Sequence, residues 1–413
     1  METQLFYPHI RWNWFKKFLV RFGVIFFALQ ILPGLYIIGG DVYPWIAKTF
    51  FSINEISLEG TGSGDMYYHY MELFFCFVVA LIGSIIWSFF NKKNKTYDTL
   101  IHWFLVFIRY YLAYSMLSYG YSKIFYNQFG APSLTRLLQP YGDSSPMGIA
   151  WTFIGASKPY TVFSGLAELL GGLLLLTRRT TLLGAMVSFA VMFNVMMLNY
   201  CYDVPVKLYS TQLVVLSVII IVCNGYYLWN AIWFQRATDA STYKPLFAKK
   251  GLVITRIIVK SLVVFYLVGF DGYNQYQSIE EAGPDAPQPT LYGIYKPTQL
   301  IKNSDTLRLY SDSTEWKYFI VDMYSTSIKQ LNDRRIRLVF EADSVKKEIS
   351  MHEETDTTYV AHLTYKNLND TTLQINGIYK KDTIHYTLGK VNLNSFRLIG
   401  RGFHWVNEFP FNR

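Results

Sequence analysis

Seven runs of about 20 mostly apolar residues follow one another, near 18–39, 69–90, 99–120, 159–177, 180–200, 208–230 and 251–270. A run of that length crosses the hydrocarbon core of a bilayer as an α-helix. No other feature constrains this chain as tightly, because inside lipid only helices and closed barrels satisfy every backbone donor and acceptor. Composition agrees: 16% of residues are charged, against about 25% in soluble domains. The fold class expected is a polytopic α-helical membrane bundle of about seven spans, followed by an extracytoplasmic antiparallel β domain.

Lys and Arg set the direction of the spans. Arg11, Lys16 and Lys17 precede the first run, and NKKNK follows the second. Arg178 and Arg179 follow the fourth, and Arg236, Lys244, Lys249 and Lys250 the sixth. All fall on one side, assigned to the cytoplasm. The loop 41–68, with Asp41, Glu55, Glu59 and Asp65 against Lys48, falls on the other. The chain is therefore placed in a bacterial cytoplasmic (inner) membrane, with its N-terminus inside and its C-terminal domain in the periplasm. The net charge of +9 belongs to this topology and not to nucleic-acid binding. Pro33-Gly34 is expected to kink the first span.

The chain divides into N-terminal spans one and two (1–97), a four-helix bundle (98–230), a loop and seventh span (231–275), a linker (276–290) and a β domain (291–413). The β domain is read from short alternating stretches, WKYFIVDMY, RRIRLVFEA, TYVAHLTY, TTLQINGIY, TIHYTLGKV and FRLIGRGFHW, separated by turn-forming clusters. They suit a barrel or a sandwich.

Charges inside the spans carry the functional reading. In span three His102, Arg109, Met116 and Lys123 recur every seven residues, which lines one stripe of a helix with a drift of ~20° per step. GLAELLGGLLLLTRRTT in span four carries Glu168 in an apolar setting. A charge at the bilayer centre costs roughly 2.5–3.5 kcal/mol on insertion scales, so Glu168 needs a partner. Arg109, expected at mid-membrane, is that partner in this reading, and the two form a buried ion pair. Lys123 is expected near the outer surface, where it would join Asn194, Asn199, Asp203, Lys207 and Gln212 around a pocket open to the periplasm. The alternative for 199–207 is a solvated loop. The segment 127–158 is expected to lie over the pocket mouth or to anchor the chain at the interface.

Cys76, Cys201 and Cys223 form no CxxC pair, so neither a zinc ribbon nor a dithiol is supported. No HExxH, GxSxG, P-loop or dinucleotide fingerprint stands in a usable context. No metal site is expected and no cofactor motif is evident.

Residues 98–223 resemble the DoxX family of integral membrane proteins. The likeness is carried by Arg109, by Tyr119-Gly120-Tyr121-Ser122-Lys123, by Glu168 in GLAELLGGLLLL and by the Arg178-Arg179 joint. The resemblance implies a four-helix core and, for some members, quinone-linked oxidation or redox-stress complexes at the membrane. Two readings follow. In one, the chain is a subunit of such a redox complex, its pocket taking a quinone from the bilayer and its electrons coming from a partner chain. In the other, it is a non-enzymatic scaffold or assembly factor in membrane lipid whose β domain binds a partner protein or lipid.

Overall fold

In the computed structural model residues 11–32, 35–90, 96–236, 250–282, 286–303, 305–307 and 312–412 are described. The main helices are α1 (Trp14–Ile31), α2 (Leu35–Phe51), α3 (Tyr67–Phe90), α4 (Asp98–Ile124), α5 (Leu134–Leu137), α6 (Pro146–Gly155), α7 (Lys158–Leu175), α8 (Thr181–Cys201), α9 (Lys207–Asn224), α10 (Tyr226–Ile232), α11 (Lys250–Val264) and α12 (Asp271–Ala282). The chain forms two compact units. One comprises residues 1–128 and 159–278; the other comprises 129–158 and 279–413.

Five helices of the first unit are long and apolar enough to cross a membrane: α3, α4, α8, α9 and the run Lys250–Ile279. The expected first span is instead two helices. α1 starts on Asn13, whose side chain accepts from the Lys16 amide at 2.8 Å, an N-cap. It ends at Leu32, which is extended with ψ 127°, as a residue before proline must be. Pro33-Gly34 lies outside the described residues, as do 91–95, Lys244 and Lys249 of the basic loops. α2 then runs through Asp41 and Lys48, positions expected in a loop. The fourth run is a helix, α7, that carries Lys158 and Glu168.

α4 is the centre of the bundle. Ile101, Leu105, Ile108, Leu112 and Met116 recur on one face and are buried with Leu213, Leu216 and Ile220 of α9. Between α11 and α12 the helix widens into a π segment, Phe265–Phe270. Such a widening frees a carbonyl from its usual partner, and the Tyr121 hydroxyl donates to the Val268 carbonyl at 3.1 Å.

The second unit is a closed antiparallel barrel. Its strands are β1 (Gly293–Lys302), β2 (Asp305–Leu307), β3 (Trp316–Val321), β4 (Thr326–Gln330), β5 (Arg335–Asp343), β6 (Glu348–Glu353), β7 (Asp356–Asn369), β8 (Thr372–Tyr379) and β9 (Asp382–Lys390). From β3 to β9 each strand pairs with the next, and β9 returns to β1 from Tyr295↔Lys390 to Lys302↔Ile384. β1 pairs with β3 over Gly293–Tyr295 and with the short β2 over Leu300–Lys302. Pro297, which cannot donate to a ladder, sits where the β1–β9 register shifts.

Eight strands enclose a lumen just wide enough for side chains to fill, and side chains fill it. Phe319, Ile328, Ile349, Ile375 and Leu388 are buried inside, and Trp316 stacks on Tyr386 with centroids 4.5 Å apart. The barrel option therefore holds over the sandwich. FRLIGRGFHW is not a strand: its first part forms a one-turn helix, Arg397–Gly400, and the rest is irregular.

The segment expected to cap a pocket belongs to this barrel unit. Leu134 of α5 is buried with Ile294 of β1 and Ile320 of β3, while Lys329 donates to the Leu138 carbonyl at 3.2 Å. Ser133 and Ser145 cap α5 and α6 by accepting from the Arg136 and Gly148 amides.

At the barrel seam Lys302 lies 2.7 Å from Asp382, which also accepts from Asn303 at 2.8 Å. These two hydrogen bonds, from Lys302 first, hold the Asp382 carboxyl below its ordinary value of 3.8. A depressed carboxylate contributes stability above the unfolded value and loses it as pH falls through the folded one. Asp382→Asn should thus lower the barrel's melting midpoint slightly at neutral pH. The difference from wild type should shrink as pH falls past 3.8 and vanish only below the depressed value of the folded state, which a melting series across pH would check.

Candidate functional site

The buried acid of α7 does have a partner, and it is not the one expected. Lys123 Nζ lies 2.5 Å from both carboxylate oxygens of Glu168. Both residues are buried, Glu168 at 2% exposure and Lys123 at 6%. The local sequence explains the pairing. α4 and α7 cross where Gly120 meets Gly165: a Cβ on Gly165 would stand 2.7 Å from the Gly120 carbonyl oxygen and 2.8 Å from Lys123 Cβ. Further along, a Cβ on Gly172 would stand 2.8 Å from Leu117. This antiparallel register puts Glu168, one turn past Gly165, against Lys123.

Arg109 lies 14 positions before Lys123, about 21 Å along the helix, and cannot share that carboxylate. Its guanidinium reaches toward the α7–α8 joint instead, donating to Thr181 Oγ1 at 3.2 Å and lying over the Tyr110 ring. The Arg109–Glu168 pair is therefore replaced by Lys123–Glu168. Heptad spacing fixes which face of α4 a residue occupies, while the close glycine contact fixes the depth.

The six pocket candidates do not meet around one cavity. Lys123 is held by Glu168. Asn194 is exposed on the outer face of α8. Asn199 is buried and donates to Ser210 Oγ at 3.0 Å and to the Val206 carbonyl at 3.4 Å, closing the α8–α9 turn. Asp203, with φ +52°, occupies that turn, and its carboxylate is 2.8 Å from Lys207 Nζ. Gln212 donates to Gln30 of α1 at 3.4 Å. The solvated-turn alternative thus describes Asp203 and Lys207, and Asn199 and Gln212 serve helix packing.

Two polar constellations were not read from the sequence. Asp65 accepts from the Lys207 and Leu208 amides at 2.9 and 3.0 Å, capping α9 from a distant loop. Arg21 is buried between α1, α3 and α4, donating to the Tyr97 hydroxyl at 2.7 Å and to Ser88. Beside it the Trp12 indole donates to buried Asp98 at 2.9 Å. Arg21, a cation inside the first apolar run, was the available signal for the second; nothing local marks Asp65.

One corner of the helical unit bears on the whole chain. Asn127, at the end of α4, donates to Ser278 Oγ at 2.7 Å and to the Gln275 carbonyl at 3.0 Å, at the end of α12. Two of the three covalent passages between the units, 128 to 129 and 278 to 279, therefore leave from neighbouring points.

The barrel has a recess at each end. One, of about 370 Å³, is floored by Trp316, Tyr379 and Tyr386 with Glu315 and Lys380 at its side. The other, of about 650 Å³, lies over Tyr295 and Tyr365 with Lys347 and Lys390 at its rim. Burial pushes the Tyr379 and Tyr295 phenols up to about 12, so both stay neutral hydrogen-bond donors. Among the described residues no group of His, Cys, Asp and Glu could hold a metal ion.

No family model matches the chain, and no solved structure matches it. Over 113 residues it is 36% identical to an uncharacterized protein, YwoB, of Bacillus subtilis (strain 168). That stretch is 71% of YwoB and 27% of this chain. The chain belongs to the YwoB family. The match to YwoB carries no activity with it, since YwoB is itself uncharacterized, and it leaves nearly three quarters of this chain outside the family stretch.

Proposed function

We propose that this chain is a membrane scaffold that holds a β-barrel for a partner protein, and not a catalyst. The observation that supports the reading is the way the two units are tied together. The chain passes between them three times. The α4–α7 connection packs its Leu134 against Ile294 of β1 and Ile320 of β3, in a cluster separate from the lumen core. A domain that only trailed from the last span would need one passage. Three passages restrain a barrel more than a single linker would, and two of them leave the helical unit from neighbouring points at Asn127 and Ser278. The lumen is filled by side chains, so the outer surface and end recesses are what remain to bind.

The C-terminal stretch is the contact surface of this reading. Phe403, Trp405 and Phe409 are each more than three-quarters exposed. Arg401 lies 3.9 Å over the Phe411 ring. Exposed aromatics with Arg are the residue types that dominate interface energetics. The quinone-linked role implied by resemblance to the DoxX family would need Lys123 for the ligand, and here Lys123 is engaged by Glu168. A photo-crosslinking residue at Trp405 of the full chain in its native membrane should capture one protein species. The same residue at Phe163 of α7, 66% exposed in a helix read as a span, should capture lipid. Identical products from the two positions would sink the proposal.

A further inference from the structure

α4 runs parallel to the helix that continues from α11 through the π segment into α12, and side-chain hydrogen bonds tie the two at the C-terminal end of α4. There Tyr121 bonds to Val268 and Asn127 to Ser278. At the other end, where both helices begin, they part around a groove of about 1120 Å³ within the helical unit. The groove has two kinds of wall. Val106, Val259 and Val263 give it a long apolar floor. Arg109, Arg178, Arg256, Lys260 and His102 also line it, and none of its described lining residues is acidic. The cations come from three separate segments, α4, the α7–α8 joint and α11, so no single sequence motif announces them.

Cationic side chains among membrane helices normally face a cavity, a counter-charge or the headgroup region. The arrangement here interleaves a cluster of cationic donors with apolar side chains along one groove, Val106 between His102 and Arg109 on α4 and Val259 between Arg256 and Lys260 on α11. That is the chemistry of an amphiphile with an anionic head. Basic recesses between membrane helices take phosphate headgroups, and the guanidinium fork matches a phosphate in two parallel hydrogen bonds.

We propose that the groove between α4 and α11 holds an anionic phospholipid, its phosphate among Arg109, Arg178, Arg256 and Lys260 and its acyl chains along Val106, Val259 and Val263. The lipid would fill the groove between α4 and α11, and so brace α11, among whose own residues none is buried. The site does not depend on the scaffold reading.

The test uses the full chain in nanodiscs of equal parts phosphatidylcholine and phosphatidylglycerol, with native mass spectrometry of the lipids it retains on release. Wild type should keep phosphatidylglycerol in preference to phosphatidylcholine. At about fivefold for each cation removed, Arg256→Gln with Lys260→Gln should cut that preference roughly 30-fold. Arg256→Lys with Lys260→Arg, which keeps both charges, should retain most of it, separating lost charge from lost folding. Inorganic phosphate added in excess should not displace the lipid, since the acyl chains contribute. Equal retention of both lipids by wild type, an unchanged preference in the Gln variant, or displacement by phosphate alone would each overturn the assignment.

Discussion

Glu168→Leu alone should cost the helical unit about 3–5 kcal/mol, the range found when one member of a buried ion pair is removed. It strands the Lys123 ammonium, 6% exposed, against a crossing held too tight by Gly120 and Gly165 for the lysine to swing out. Lys123→Met alone should cost as much by stranding the carboxylate. The double variant should recover most of the loss, because replacing both charges by apolar groups of similar volume is commonly neutral or stabilising. Arg109→Leu combined with Glu168→Leu should recover nothing. Thermal unfolding in detergent, followed through the helical signal, would decide. Losses that simply add in the Lys123→Met, Glu168→Leu variant would mean the two residues are not coupled.

Trp316→Ala should cost the barrel about 3–5 kcal/mol, as for other buried Trp or Phe truncations. The indole is stacked on Tyr386, meets the edge of Tyr379 at 5.7 Å and lies 5.7 Å from Phe319. Its removal opens a void at the floor of the smaller recess that strands closed into a barrel cannot collapse to fill. Because the barrel has its own core, the loss should stay within it. Hydrogen exchange read by mass spectrometry should show β3, β8 and β9 opening sooner while α4 and α8 keep wild-type protection. Faster exchange throughout α4 would contradict the division into two units.

Much of the fold was legible because its signals are local. Apolar runs marked α3, α4, α8, α9 and the Lys250–Ile279 helix. Alternation marked β3, β5, β7, β8 and β9. β1, with Pro297 inside it, and the short β4 and β6 gave weaker patterns. The site was less legible because it depends on long-range register. Seven-residue spacing correctly placed Arg109 and Lys123 on one stripe, yet the choice between them as partner of Glu168 turned on where two glycines let the backbones touch. Asp65 capping α9, 142 residues away in sequence, is the same lesson. The basic groove gathers side chains from three segments and has no linear signature.

The central claim, that this YwoB-family chain is a scaffold presenting its barrel, is tested most directly by native mass spectrometry of the full protein gently extracted from its own membrane. The account predicts a protein partner in fixed stoichiometry, lost when Phe403, Trp405 and Phe409 are replaced by Ser while both units stay folded. A chain that leaves the membrane with no protein partner and one tightly held quinone per copy would contradict it.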